Sequence, residues 1–260
     1  VGLKPTFGEI SCDGVIPLAP SLDHVGPLTR CVADARLLYD TMRDNSSAIT
    51  SETIPARRIL GCPRPFFLER LDTEIRNSFE GALDHLRDAG WTVKDTIVRH
   101  AHHSPAVYLH LVLSEAASTH ARGLAERSDR YTEEVRLRLE LGRYVMGEDY
   151  VRAQHGRNVL GHAVDNALDT CNALVLPTLA IPAPRLGTNT IDIAGNPEPL
   201  RNTMLRLTQL FNATGHPAIS LPCGLTTDGL PCGLQLIGSR NRTEHLLNLA
   251  EACEATLANR

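Results

Sequence analysis

Residues 173–178, ALVLPT, constrain the fold more than any other stretch of the chain. The run is apolar without a break and closes on a proline turn. A strand of that kind must be covered on both faces, and it delivers a loop to a site at its carboxyl end. The flanking sequence supplies the cover. RILGCP (58–63) is a short apolar run closed by Gly and Pro. Asp72 opens an amphipathic helix with Ile75, Phe79, Ala82, Leu83 and Leu86 on one face, stopping at Gly90, and residues 91–98 return as a strand. Strand, helix and strand in that order build a sheet whose strands run mostly in one direction beneath helices. The expected fold class is α/β, a mixed, mostly parallel sheet covered by helices.

The other segments fit the same plan. Residues 31–42 carry Val32, Ala35, Leu38 and Met42 at helical spacing, with Thr29 as the expected cap. A helix is read over 106–122. In 133–144, Val135, Leu137, Leu139 and Leu141 alternate with charges in the period of a strand, yet Glu, Arg and Leu favour a helix, and a helix is expected. Residues 149–171 form a long helix lined by Tyr150, Ala153, Leu160, Val164, Ala167 and Cys171. Residues 181–200 hold four prolines and two glycines, too irregular for an element, and suit a lid or binding loop. A helix over 205–213 follows. AISLPCG and CGLQLIGS then pair around Asp228-Gly229, with Pro222 weakening the first strand, and 243–257 closes as a helix.

Charge and cysteine usage exclude several functions. A net charge of −4 without a run of one sign gives no footprint for nucleic acid or for an anionic membrane surface. No window reaches the roughly 20 apolar residues of a membrane span. Seven dispersed cysteines without a C-x-x-C pair suit reduced thiols and a cytoplasmic setting rather than a disulfide frame or zinc site.

The residues themselves offer few catalytic groups. His100, His102 and His103, with His110 and Glu115 beyond, lie in a strand-to-helix connection and read as a solvated loop before a metal site. Asp23 and His24 are adjacent on an extended chain and face opposite ways, so Asp23 reads as a turn residue. There is no G-x-S-x-G elbow, and neither Lys4 nor Lys94 sits beside an obvious nucleophile. No catalytic residue is assigned within the chain.

Several ordered stretches resemble the amidase signature family. VGLKPTFG followed by GVIPLAPSLDHVGPLTR resembles the segment just after that family's Gly- and Ser-rich signature. LVLPT resembles its late strand, and FNATGHPAISLPCG with DGLPCGLQLIGSRNRTEHLL resembles its C-terminal hallmark. The similarity covers essentially the whole chain, more loosely over 48–149. It implies an amide hydrolase without metal or organic cofactor, in which one serine attacks the carbonyl, a second serine held by a cis peptide relays its proton, and a neutral lysine is the base. Those three residues precede the VGLKPT segment in the family. The resemblance therefore makes residues 1–260 the C-terminal portion of a single amidase domain, with the first part of its sheet missing. Lys4 is not the family's catalytic lysine, and His24 departs from the uncharged residue expected between Asp and Val.

The resemblance also suggests pocket residues. Gln209, Phe211, Asn212 and the 181–200 loop are the expected walls of the acyl pocket. Arg157 resembles an arginine that meets a substrate carboxylate in some members, an exposed arginine without ligand being the other reading. The partners implied are a small amide substrate, and either the missing N-terminal segment or a second copy covering a long apolar sheet edge. Two further readings stay open: the amide-hydrolysing component of a tRNA-dependent glutamine amidotransferase, and a truncated binding or scaffold module.

Overall fold

The computed structural model describes residues 1–43, 58–193 and 195–258. The loosely matched 48–57 and Ala194 of the 181–200 loop lie outside them. Along the chain run β1 (Gly2–Lys4), α1 (Val32–Met42), β2 (Ile59–Pro63), α2 (Thr73–Asp88), β3 (Thr92–Thr96), α3 (Ser104–Thr119), α4 (Ala121–Arg127), α5 (Glu133–Gly142) and α6 (Gly147–Leu168). There follow β4 (Ala173–Pro177), β5 (Thr190–Ile193), β6 (Asn196–Pro199), α7 (Leu200–Leu205), α8 (Gln209–Ala213), β7 (Ala218–Leu225), β8 (Pro231–Ile237) and α9 (Thr243–Leu257).

Six strands form the main sheet in the order β1-β7-β8-β4-β2-β3. β2 pairs in parallel with β3 and β4, while β4–β8, β8–β7 and β7–β1 are antiparallel. β7, β4, β2 and β3 consequently point one way, and β8 and β1 the other, so the sheet is mixed with most strands sharing a direction. Every residue of β4 is buried, as its unbroken apolar run requires, with α2 and α6 packed against it. Pro222, which lacks an N–H, sits beyond the reach of β1, whose pairing stops at Ser220, and beside an irregularity in the β7–β8 register.

α2 shows how local sequence makes an element. The Asp72 carboxylate accepts from the N–H groups of Glu74 (2.8 Å) and Ile75 (3.3 Å), filling bonds that the first turn leaves open. Ile75, Phe79, Ala82, Leu83 and Leu86 are its buried residues. Each large side chain so buried contributes about 1.5–3 kcal/mol.

Three expectations need correction. Thr29 does not cap α1; its hydroxyl donates to the Cys31 carbonyl, and the Val32 N–H is met instead by the Glu254 carboxylate of α9. The single helix over 205–213 is two, α7 and α8, because the Leu207 carbonyl accepts from the Gln235 side chain at 3.0 Å. Within 181–200 a hairpin, β5–β6, turns at Gly195 (φ 81°), whose N–H donates to Asp192 at 2.8 Å. One margin of the sheet is β3, paired with β2; at the other, β1 is three residues long, and its outer side meets 27–29, with Leu3 N–H donating to the Pro27 carbonyl (3.0 Å) and Thr29 N–H to that of Val1 (2.9 Å). Gly26 permits this approach, since a Cβ there would lie 2.1 Å from the Leu3 carbonyl oxygen. Leu28, bridged to Gly2, is exposed, as are Val15, Ile16 and Leu18 earlier in the same connection between β1 and α1. Among the described residues, no helix is long and apolar enough to cross a membrane.

Candidate functional site

Five segments converge on the end of the sheet where β4 begins, opposite the carboxyl end of β4 at which its apolar run led a site to be expected. They are the chain leaving β1 (Thr6, Phe7), the turn at 19–24, α6, the 214–217 turn before β7, and residues 239–241 after β8. Together they enclose a cavity of about 610 Å³. Asp23 closes the turn, its carboxylate accepting from the N–H groups of Leu18 and Ala19.

Arg157 and Asp165 both project into the cavity from α6. Eight residues apart, they stand about 12 Å apart along the helix axis. Arg157 Nη1 donates to Ser21 Oγ at 3.0 Å. Ser21 in turn donates from Oγ (2.5 Å) and from its N–H (2.8 Å) to Glu115, which also accepts from the Tyr150 hydroxyl at 3.0 Å. The guanidinium is thus oriented by a hydroxyl, and among the described residues it forms no ion pair. A planar cation held this way can take a carboxylate through two parallel hydrogen bonds.

Asp165 is already neutralised. Its Oδ2 accepts from Arg240 at 2.5 Å and its Oδ1 lies 3.0 Å from His216 Nε2. The His216 ring has no exposed surface, and its Nδ1 is 2.8 Å from the Thr214 hydroxyl. Burial pushes His216 down to about 4 against the opposing pull of Asp165, so the ring is neutral at pH 7. The arrangement that satisfies it puts the proton on Nε2, facing the carboxylate, and leaves Nδ1 to accept from Thr214.

Lys4 lies behind this wall. Its Nζ donates to the His216 carbonyl (2.5 Å), lies 3.4 Å from the Pro5 carbonyl and stands 3.5 Å from His24 Nε2. Burial lowers its pKa to about 7, against the field of Glu9. His24 is held down to about 4 by burial and then by Lys4. Its Nδ1 donates to the Leu22 carbonyl at 2.8 Å, which leaves Nε2 as an acceptor.

The residues expected at the site separate here. Arg157 lines the cavity. Asn212, half-buried on α8, reaches the His24 ring and the Tyr108 hydroxyl. Gln209 is buried on the same helix, and Phe211 stacks on Phe67 in the main core, with ring centroids 5.8 Å apart. Sequence reasoning assigned nothing to His216, Asp165 and Arg240. His216 lies within the recognised GHPAIS stretch, but its carboxylate partner, Asp165, is 51 residues away on α6 and no spacing signals it. His100, His102 and His103 are exposed, and no metal-binding group of three or more His, Cys, Asp or Glu occurs among the described residues.

Comparisons with known proteins agree with this frame. The family model described as Amidase matches residues 1–247. The A component of the glutamyl-tRNA(Gln) amidotransferase of Thermodesulfovibrio yellowstonii is 32% identical over 98% of this chain and 59% of its own length. An amidase of Pseudomonas putida is 35% identical over 88% of this chain and 53% of its own. A solved structure described as "Crystal structure of amidase" superposes with a TM-score of 0.88 at 32% identity, over 98% of this chain and 58% of that one. The chain spans a little over half the length of the relatives it matches.

Proposed function

The chain belongs to the amidase family, and from that membership we propose that residues 1–260 are the C-terminal portion of a single amidase domain. That domain hydrolyses a carboxylic amide C–N bond to an acid and ammonia or an amine. The family match over residues 1–247 carries the reading. On this reading the two serines and the lysine base stand in sequence before Val1, and the present residues shape the pocket. Arg157 lines it, whereas Asn212 supports it through His24 and Tyr108, and Gln209 and Phe211 support it from the core. The exposed Val15, Ile16, Leu18 and Leu28 support packing of that preceding segment over this end of the sheet. The seven free cysteines support a reducing, cytoplasmic setting.

The placement of Arg157 favours amides that carry a carboxylate. Ammonia release from a panel of carboxamides, by the protein with its preceding sequence in place, tests the proposal. Hydrolysis is expected, and Arg157→Gln is expected to raise KM for carboxylate-bearing members by roughly tenfold, with little change for neutral ones. Absence of hydrolysis across the panel removes the reading and favours a binding or scaffold module. A second reading, the glutamine-hydrolysing component of an amidotransferase, draws on the relatives that bear that name. Strict preference for glutamine distinguishes it.

A further inference from the structure

Glu115, on α3, stands behind Ser21 rather than in the cavity, and the amide-hydrolase reading gives it no part. Two lines of donors end on its carboxylate. One comes from the cavity: Arg157 Nη1 donates to Ser21 Oγ (3.0 Å), Ser21 Oγ to Glu115 Oε1 (2.5 Å), and the Ser21 N–H to Oε2 (2.8 Å). The other stays on α6, where Gln154 Nε2 donates to the Tyr150 hydroxyl (2.7 Å) and that hydroxyl to Oε1 (3.0 Å). Tyr150, Gln154 and Arg157 stand at i, i+4 and i+7, so one face of α6 carries the start of both lines. A serine hydroxyl has a single proton. Donated to Glu115, it leaves only lone pairs toward Arg157, and a guanidinium, which has donors alone, bonds the oxygen in that one sense. The direction of the line from Arg157 is therefore set at Glu115. Only a carboxylate accepts at both oxygens; an amide in its place turns an NH2 against either the Ser21 N–H or the two hydroxyls.

We propose that Glu115 is a positioning residue for Arg157: by taking the Ser21 proton it holds the guanidinium in one orientation on the cavity wall, and so strengthens the preference of the site for carboxylate-bearing amides. The preference rests on the reading of Arg157 as a carboxylate site, whereas the hold of Glu115 on Arg157 does not. Two effects of Glu115 oppose each other. Its charge, one hydroxyl removed from Arg157, repels a carboxylate bound there. Its hydrogen bonds keep a long side chain ordered before the ligand arrives, which lowers the entropy lost on binding. The second effect prevails, because Glu115 and Arg157 are only half-buried and water weakens the repulsion, while the bonds through Ser21 act at contact. Loss of the carboxylate consequently weakens carboxylate binding, the opposite of what charge alone predicts.

The test uses the protein with its preceding sequence in place, acetate as the probe, and NMR of the Arg157 side chain. In the wild type the Arg157 Nη signals are expected to be separated by hindered rotation. In Glu115→Gln they merge, and acetate affinity falls on the order of fivefold. KM for carboxylate-bearing amides rises by the same factor at unchanged kcat, and neutral amides keep both constants. Ser21→Ala, which retains the Glu115 charge and removes the linking hydroxyl, has the same effects. Tyr150→Phe, which touches the other line alone, leaves acetate affinity near that of the wild type, and in an Arg157→Gln background Glu115→Gln changes it no further. Tighter acetate binding by Glu115→Gln overturns the proposal and makes Glu115 a repelling charge. Wild-type affinity in Ser21→Ala, or an equal loss in Tyr150→Phe, overturns it as well. If Arg157→Gln binds acetate as the wild type does, the carboxylate reading fails instead, and the Nη signals of Glu115→Gln and Ser21→Ala still decide the role of Glu115.

Discussion

α2 and the cavity wall are both well satisfied, but by opposite means. In α2 the cap, the apolar face and the stop all lie within residues 72–90, and the cap bonds span two or three residues. In the wall, Lys4 bonds to His216 across 212 residues, Arg157 to Ser21 across 136, and Arg240 to Asp165 across 75. The helix is a local product that packing stabilises. The wall exists only after the sheet has brought distant segments together, and its polar groups then answer for one another.

Substitutions and pH separate the two regions. The largest effect is expected from Phe79→Ala on the buried face of α2, about 3–5 kcal/mol of stability by denaturant unfolding, with the Arg157 environment unchanged by NMR. Acidification comes next and falls on the wall. His24 and His216 have folded pKa values near 4 against an ordinary 6.5, so the stability they hold above pH 6.5 is lost as pH falls toward 4. Lys4 has the same sign at higher pH: stability rises between about 7 and its ordinary 10.5, and is lost as pH falls through 7. Unfolding measured across pH 4–10 checks both windows, and a flat profile would undo the contrast.

Asp165→Ala leaves the buried Nε2–H of His216 without its acceptor and is expected to cost about 1–3 kcal/mol, with loss of order in the 214–217 turn. Asp72→Ala removes only a local cap. About 1 kcal/mol is expected, read by unfolding alone, with the cavity residues undisturbed. Equal disturbance of the cavity by both aspartates would erase the distinction between the two regions.

Legibility in the sequence follows the same division. The five buried residues of α2, its Asp72 cap and the full burial of β4 follow from apolar periodicity and from one capping side chain. The leucines of α5 could be read in a strand's period, and residue type resolved them correctly as helix. The break between α7 and α8 escaped such reading because Gln235, 28 residues on, takes the carbonyl at Leu207. The cap of α1 escaped for the same reason, with Glu254 lying 222 residues beyond Val32.

At the site, sequence resemblance singled out Arg157 without its neighbours, and placed Phe211 near the pocket where packing put it in the core. Periodicity and contiguous motifs were enough for the α/β class, most helices and strands, and the family. Which charges meet was settled by the fold. Asp165 is bound to Arg240 and His216 while Arg157 has only hydroxyl support, although both project from one helix. A side chain's charge state and availability depend on what burial brings beside it, and the groups that settle both come from parts of the chain that only the folded sheet makes adjacent.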